Sequence, residues 1–154
     1  MTLHRAENTD DPERLRQIVE AAESLDHPVL FPVHPRTKKV LGQTGISLGS
    51  NVHPSEPLGY FQMIAAESHA IKILTDSGGV QKEAFYLGVP CVTLRDRTEW
   101  PETVELGANL VAGTDPQKIG EAVQQKQDGH RAGAHSPYGD GKASEKIVSE
   151  LLAV

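Results

Sequence analysis

The 154-residue sequence contains a single cysteine, Cys91, and so no intrachain disulfide. No stretch is apolar for long enough to cross a bilayer, since a spanning helix needs about 20 such residues. The start MTLHRAENTD lacks the apolar centre of a signal peptide. A formal net charge of −6 argues against nucleic acid or a membrane surface as the main partner. We therefore expect a cytoplasmic protein with a reduced, buried cysteine.

The motifs of common cofactor and metal enzymes are also missing. Neither G-x-G-x-x-G nor a Walker A sequence occurs, which argues against the usual NAD and ATP enzymes. The seven histidines are dispersed, without paired cysteines or a second histidine at i+4 spacing. We therefore predict a protein without a metal site or a bound cofactor.

Apolar segments of strand length alternate with helical patterns along the chain, which is typical of parallel sheets covered by helices on both faces. The sequence therefore predicts an α/β fold, a Rossmann-like doubly wound parallel sheet in a single domain covering residues 1–154. The predicted strands are Pro28–Val33, a brief one near Ser50–Val52, Ile71–Thr75, Pro90–Leu94 and Asn109–Val111. The predicted helices are one capped by Thr9 or Asp10, a short one at 37–41, one at 58–67, and others after Gly79, Asp115 and Gly141.

The first residues suggest a shortened strand. Met1–Leu3 is too short for a comfortable strand, yet His4 and Arg5 follow as if they stood at a strand's carboxyl end. We expect that the chain begins inside a strand that lies centrally in the sheet. The polar, glycine-bearing stretch Lys126–His135 predicts a mobile loop.

Two apolar groups have less obvious places. Tyr60 and Phe61 stand near the start of the helix at 58–67, where they could flank a base, although core packing is favoured for at least one of them. The last helix carries apolar residues at helical spacing, which we expect to form an exposed adhesive patch. These residues are Ile147, Val148, Leu151 and Leu152.

The remaining chain is organised around the stretch from Ile71 to Glu102. It reads as a buried strand, a tight turn at Ser77, Gly78 and Gly79, and a helix. The unpaired N–H groups and partial positive charge of a helix N-terminus favour a phosphate or diphosphate there. Glu83 lies about one helical turn further on, where its carboxylate could accept hydrogen bonds from ribose hydroxyls. A nucleoside diphosphate carries both groups, phosphates for the helix N-terminus and ribose hydroxyls for Glu83.

A purely structural interpretation of the turn stays open beside this one. Ser-Gly-Gly before a helix is common as a cap and chain reversal, and an acidic residue near a helix start is stabilising without a ligand. The longer pattern favours a ligand, because the strand Pro90–Leu94 leads into a charged loop that carries the only tryptophan, Trp100. Open α/β sheets bind ligands at that end of their strands.

Three blocks of the sequence carry a family resemblance: TLHRAENTDDPERL, LTDSGGVQKEAFYLGVPCVTLRDRTEWPE and SPYGDGKASEKIV. They resemble the C-terminal half of the non-hydrolysing UDP-N-acetylglucosamine (UDP-GlcNAc) 2-epimerases, in the family's order and over essentially the whole chain. The resemblance implies the C-terminal domain of the B-type glycosyltransferase (GT-B) fold. It also implies a role in making precursors of cell-surface polysaccharides.

The resemblance implies roles for individual residues. The family eliminates UDP from UDP-GlcNAc and adds it back after C2 is inverted, which forms UDP-ManNAc without a redox cofactor. Ser77, Gly78 and Gly79 would stabilise the leaving diphosphate, and Glu83 would bind the ribose. His4 would contact the diphosphate or transfer a proton, the alternative being a surface histidine at a strand end.

Three further residues match less closely. Arg95 belongs to a signature loop and is assigned to UDP binding, with a salt-bridge network as the equally weighted alternative. Arg5 and His34 match positions that, in bacterial relatives, help to form a site for a second, activating UDP-GlcNAc.

The resemblance also implies a partner. The family's acid–base carboxylates lie in an N-terminal domain without a counterpart here, so we expect an inactive chain with weak UDP affinity at best and a missing or separate N-terminal half. Relatives commonly form homodimers. The alternatives are a standalone UDP-sugar binding module and, less favoured, a fragment of a GT-B glycosyltransferase.

Overall fold

The computed structural model describes residues 1–127 and 137–153. Its strands are β1 (Val29–Pro32), β2 (Val52–Ser55), β3 (Ile73–Thr75), β4 (Cys91–Thr93) and β5 (Asn109–Val111). Its helices are α1 (Ala6–Thr9), α2 (Pro12–Glu23), α3 (Pro35–Thr44), α4 (Tyr60–Ser68), α5 (Gly78–Leu87), α6 (Pro101–Glu105), α7 (Pro116–Gln124) and α8 (Ala143–Leu152). The alternation of strands and helices agrees with the predicted α/β class.

Every strand pairing is parallel, and Met1–Leu3 joins two groups of strands. β1 pairs with β2, and β4 lies between β3 and β5. Between the groups, Thr2 bridges Thr75 in parallel, and the Met1 ammonium donates to the Leu30 carbonyl at 2.6 Å. The spatial order is thus β2, β1, Met1–Leu3, β3, β4, β5, which is the doubly wound order with the first segment at its centre.

Helices cover both faces of this sheet. Neighbouring strand residues point to opposite faces, and Leu74 belongs to a core cluster with Ile18 and Ile119 from α2 and α7. Its neighbour Ile73 belongs to a second cluster with Ala84 of α5. Cys91 is buried in that second cluster, as predicted.

The first long helix begins later than predicted. Its cap is Asp11, whose carboxylate accepts from the N–H groups of Glu13 and Arg14 at 3.0 and 3.3 Å. The extra turn α1 precedes it and buries Thr9, whose hydroxyl donates to the Arg5 carbonyl at 3.1 Å. Thr9 is therefore part of α1, so the predicted cap at Thr9 or Asp10 is wrong by one or two residues.

The second strand also lies later than Ser50–Val52. The Asn51 side chain donates to the Ala22 and Leu25 carbonyls at 3.0 Å, which holds residue 51 in a turn, and β2 follows it. Among residues 1–127 and 137–153, β2 pairs with β1 alone and is an edge strand, where Pro54 is tolerated.

Core packing of Tyr60 and Phe61 is a wrong prediction, because these side chains are 66% and 85% exposed. They form the first turn of α4, ahead of Met63 and Glu67, which are turned toward the sheet.

The apolar residues of α8 are exposed as expected, from 53% at Val148 to 82% at Leu152. Most of the predicted loop at 126–135 lies outside the described residues. Within residues 1–127 and 137–153, the helices are too short or too polar to cross a membrane.

Candidate functional site

The candidate site lies at the carboxyl edge of the sheet. His4 and Arg5 follow the central segment Met1–Leu3, and His34 follows β1. Asp76 follows β3, and Arg95 follows β4. Because parallel strands end at the same edge, residues distant in sequence meet there.

Asp76 is the fully buried anchor of this edge. Its carboxylate accepts from the backbone N–H groups of His4 at 3.0 and 3.1 Å and of Arg5 at 2.9 Å. It also accepts from the Asn8 side-chain amide at 3.2 Å. The sequence analysis assigned Asp76 no role of its own, although an acidic residue directly after a buried strand was a usable signal. Asp76 holds the His4–Arg5 backbone beside the turn that follows β3.

That turn caps α5 as the sequence predicts. Ser77 is the N-cap, with its hydroxyl oxygen accepting from the Val80 N–H at 3.4 Å. The Ser77 N–H donates to the Thr75 hydroxyl at 2.9 Å. The N–H groups of the first helical turn have no acceptor within the helix, so the α5 N-terminus can receive an anion.

Gly78 and Gly79 have different surroundings, so a side chain would have different effects at the two positions. A Cβ on Gly78 would lie 3.3 Å from a Glu99 carboxylate oxygen and 3.4 Å from the Trp100 indole nitrogen. That indole N–H donates to the Gly78 carbonyl at 2.8 Å. A side chain at residue 78 would therefore crowd the charged loop, which favours glycine there. Gly79 is exposed, and a Cβ there would meet only the Ser77 hydroxyl, at 3.7 Å; it leaves the backbone open to a ligand.

Arg95 is held by two carboxylates. Its buried guanidinium contacts Glu7 and lies 2.5 Å from a Glu99 oxygen. The Arg95 hydrogen bond lowers the pKa of Glu99. Glu99 also lies 3.6 Å from the Arg5 guanidinium. The salt-bridge network left open by the sequence is present, and a direct contact of Arg95 with UDP stays a prediction.

A buried polar network behind the turn fixes the loop after β4. The Thr98 hydroxyl donates to the Gln81 amide oxygen at 2.5 Å and accepts from the backbone N–H of Trp100 at 3.0 Å. The Asn109 side chain donates to Gln81 at 3.3 Å and to Thr103 at 3.2 Å. The sequence analysis did not find this network, because its two contacts with Gln81 join residues 17 and 28 positions apart, which meet only in the folded chain.

His4 and His34 lie together, with ring centroids 5.5 Å apart. The His4 Nε2 is 4.0 Å from Asp76 Oδ1. The His34 Nδ1 accepts from the Arg36 N–H at 3.2 Å and so caps α3. The fold therefore brings the predicted regulatory residues Arg5 and His34 to the same edge as His4; their regulatory role stays a prediction.

Glu83 meets a second acid that the sequence analysis missed. Glu67 of α4 is 2% exposed, and α4 packs against α5, which carries the half-buried Glu83. Burial raises the pKa of Glu67 to about 7, helped by the charge of Glu83 and a hydrogen bond with it. Both Glu67 oxygens lack a donor among the described residues, so that bond requires a proton on one carboxyl group. A protonated Glu67 carboxyl group is able to donate this hydrogen bond to Glu83.

An aromatic cluster ties residue 138 to α5. The Lys82 ammonium lies 3.4 Å from the Tyr138 ring centroid and 4.3 Å from that of Trp100. Such cation–π contacts are favourable, and the Tyr138 hydroxyl donates to Glu102 at 3.3 Å.

Among the residues with described structure, we find no group of three or more acidic, histidine or cysteine side chains arranged to hold a metal.

Comparisons with known proteins agree on one family. A family model described as UDP-N-acetylglucosamine 2-epimerase matches residues 1–152. The Methanocaldococcus jannaschii UDP-N-acetylglucosamine 2-epimerase is 47% identical, over 98% of this chain and 43% of its own length. The Pseudomonas aeruginosa UDP-2,3-diacetamido-2,3-dideoxy-D-glucuronate 2-epimerase is 46% identical, over 97% of this chain and 43% of its own length.

A solved structure of the M. jannaschii enzyme, in complex with UDP-GlcNAc and UDP, has a TM-score of 0.85 and 43% identity to this chain. It is matched over 99% of this chain and 44% of its own length. This likeness confirms the predicted Rossmann-like domain of the GT-B fold. The chain spans less than half the length of the relatives it matches.

The Asp76 anchor predicts a large stability effect. Asp76→Asn places an amide N–H against backbone donors, and we expect a loss of about 3 kcal/mol in the free energy of unfolding, because buried charged hydrogen bonds are broken. Urea denaturation measures this. The matched control is Asp96→Asn, since Asp96 is 70% exposed and pairs with Arg14 at the surface; it should change stability by less than about 1 kcal/mol. Equal effects in both variants would contradict the anchor role.

The Glu67 carboxyl group predicts a pH-dependent stability. Folding raises the pKa of Glu67 from 4.5 to about 7. The resulting contribution of Glu67 to the free energy of unfolding is fully present below pH 4.5 and is lost as the pH rises to about 7. The loss is at most about 3 kcal/mol, at about 1.4 kcal/mol per pH unit. Urea denaturation between pH 4.5 and 8 should show this fall in the native chain and in Glu20→Gln, an exposed control. Glu67→Gln should lack it, and parallel profiles for Glu67→Gln and the native chain would rule out the raised pKa.

Proposed function

Because this chain belongs to the UDP-N-acetylglucosamine 2-epimerase family, we propose that it is the UDP-binding half of an enzyme that interconverts UDP-GlcNAc and UDP-ManNAc. The relatives named above act on two different sugars, and the UDP group is common to both names. The proposal therefore centres on the nucleotide, which this chain's residues would hold as a single binding domain, residues 1–154.

The observation that carries the proposal is the open N-terminus of α5 beside the anchored His4–Arg5 segment. Gly78 and Gly79 present first-turn N–H groups to an incoming diphosphate, which the helix dipole also attracts. Ser77 caps the helix beside them, with its own N–H bonded to the Thr75 hydroxyl. The Arg5 side chain lies against this turn. One of its guanidinium nitrogens is 3.6 Å from the point that a Cβ on residue 78 would occupy. A cation and a helix N-terminus at one point form a site suited to a diphosphate.

The acid pair would bind the ribose. In our proposal the Glu83 carboxylate accepts hydrogen bonds from the ribose hydroxyls, while a protonated Glu67 donates to its other oxygen. A carboxylate fixed in this way loses little side-chain entropy when ligand binds. Glu83 lies on the same helix whose N-terminus receives the diphosphate, so one rigid element would set the spacing between both ends of the nucleotide.

The reaction would proceed by elimination of UDP and its re-addition after C2 inverts. Charge develops on the departing diphosphate, and the α5 N-terminus with Arg5 would stabilise it electrostatically. His4, whose backbone Asp76 fixes, would contact the diphosphate or move a proton there. Arg95 would act mainly by holding Glu99, which in turn lies near Arg5. The acid–base groups acting on the sugar would come from an N-terminal half, the proposed partner of this chain.

A second UDP-GlcNAc could act as an activator between Arg5 and His34. The support is that His4 and His34 are adjacent, so a ligand against His34 would lie beside the proposed reacting groups. In this proposal, activation and catalysis would share one edge of the sheet.

A standalone UDP-sugar binding module is the second candidate. It is favoured by the fact that the proposed diphosphate and ribose contacts all lie within this chain, on α5 and the segment that Asp76 anchors. The two candidates share nucleotide binding and differ in turnover.

Nucleotide binding is tested by calorimetric titration with UDP. We expect Glu83→Ala to weaken UDP binding by about 10- to 100-fold, which corresponds to the loss of about 1.5–3 kcal/mol from hydrogen bonds to a charged group. Glu20→Ala removes an exposed carboxylate from α2 and should leave the affinity unchanged. Equal affinities for UDP in Glu83→Ala and the native chain would refute the ribose role, and no binding by a folded chain would refute the site.

Turnover separates the two candidates. The isolated chain should produce no UDP-ManNAc from UDP-GlcNAc, because acid–base catalysis needs groups placed on the sugar from the other half. Proton NMR of the anomeric signals measures this directly. Adding the N-terminal half of a family member should restore epimerisation if the chain is an enzyme half, whereas a binding module would stay inactive. Robust turnover by the chain alone would contradict our assignment of the acid–base groups.

A further inference from the structure

The segment that precedes α8 contacts the candidate site through Tyr138. The Tyr138 ring packs edge-to-face against Trp100, with centroids 5.8 Å apart and planes at 86°, and against Phe85 of α5 at 5.5 Å. Burial raises the pKa of Tyr138 to about 12, and the Glu102 charge adds to this shift. The hydroxyl therefore keeps its proton and donates to Glu102. Tyr138 thus joins residues 137–142 to both α5 and the charged loop after β4.

Lys82 of α5 lies among the rings of this cluster. Its ammonium is 3.4 Å from the Tyr138 ring centroid, 4.3 Å from that of Trp100 and 5.6 Å from that of Tyr86. Lys82 and Tyr86 are four residues apart on one helix, a spacing at which side chains meet. An ammonium group is attracted to the face of each ring, most strongly where water is partly excluded. Lys82 therefore holds the Trp100 and Tyr138 rings together.

The Trp100 indole links this cluster to the turn that begins α5. The Trp100 backbone N–H is bonded to the Thr98 hydroxyl, so the cluster is not needed to fix the loop backbone. The direction of the indole does depend on the cluster, because Lys82 and Tyr138 lie against the ring. The indole N–H donates to the Gly78 carbonyl at 2.8 Å. The cluster thus acts on the turn through one hydrogen bond.

The Gly78 carbonyl belongs to the same peptide unit as the Gly79 N–H. A peptide unit is planar and trans, so its C=O and N–H point in opposite directions and turn together. A donor bonded to the oxygen also polarises the N–H. Two glycines in succession give this unit more rotational freedom than other residues would. The indole therefore orients and strengthens one of the N–H groups offered to the diphosphate in the proposed function.

We propose that Lys82 and Tyr138 are positioning residues of the diphosphate site. They hold the Trp100 indole against the Gly78 carbonyl and so set the direction of the Gly79 N–H before the ligand arrives. This inference deepens the proposed function and rests on it. A donor that is already in place loses less entropy when the diphosphate binds. Coupling between two sites is reciprocal, so a bound diphosphate stabilises the packing of Tyr138 on Trp100.

Calorimetric titration with UDP tests Lys82 in the full chain. Lys82→Met keeps an apolar side chain of similar length and removes the charge, and we expect UDP to bind about 5- to 20-fold more weakly. The matched control is Lys118→Met, because Lys118 is exposed on α7; the affinity should stay unchanged. Lys82→Arg restores a cation that stacks on aromatic rings and should rescue most of the affinity.

A second pair of variants tests the ring of Tyr138. Tyr138→Leu should weaken UDP binding by a factor similar to that of Lys82→Met. Tyr138→Phe keeps the ring and loses the bond to Glu102, and it should recover most of the affinity. Equal losses in Tyr138→Leu and Tyr138→Phe would assign the effect to Glu102 and overturn the role of the ring.

Hydrogen exchange followed by NMR supplies a readout that a general loss of stability does not reproduce. Trp100 is the only tryptophan, so the chain gives one indole N–H signal. Its exchange should be about tenfold faster in Lys82→Met, and about threefold or more slower when the native chain is saturated with UDP. The amide of the buried Leu94 is bonded to the Thr75 carbonyl. It reports global unfolding and should exchange equally in the native chain and in Lys82→Met.

Two outcomes would overturn the inference while the nucleotide site stands. One is the same affinity for UDP in Lys82→Met and Lys118→Met. The other is an unchanged exchange rate of the Trp100 indole N–H in Lys82→Met. A folded native chain that does not bind UDP is a distinguishable result, because it would refute the proposed function and, with it, this inference.

Discussion

The buried Asp76 carboxylate is the interaction on which the rest of this structure depends. It accepts from the backbone N–H groups of His4 and Arg5 and from the Asn8 side chain, and these donors come from one short segment. A buried charge is costly unless hydrogen bonds satisfy it, so the segment and the end of β3 are locked together. This lock fixes the central segment of the sheet and places Arg5 beside the α5 N-terminus.

Charge balance shapes the region around the proposed nucleotide site. Arg95 is paired with Glu7 and Glu99, and Glu99 also lies near Arg5. Glu67 is the opposite case, because burial and the nearby charge of Glu83 raise the pKa of its carboxyl group. The N-terminus of α5 and Glu83 belong to one helix, and α4 with Glu67 packs against it, so both contacts proposed for the nucleotide would lie along α5.

The sequence by itself determined the alternation of strands and helices, the cap at Ser77 and the family, because apolar periodicity, capping residues and contiguous motifs are local signals. Only the tertiary structure decided the partners of Asp76, the burial of Arg95 between two acids, the exposure of Tyr60 and Phe61, and the meeting of Glu67 with Glu83. Those contacts join residues far apart in the chain. Their burial and charge balance depend on how the helices pack, which a local pattern does not encode.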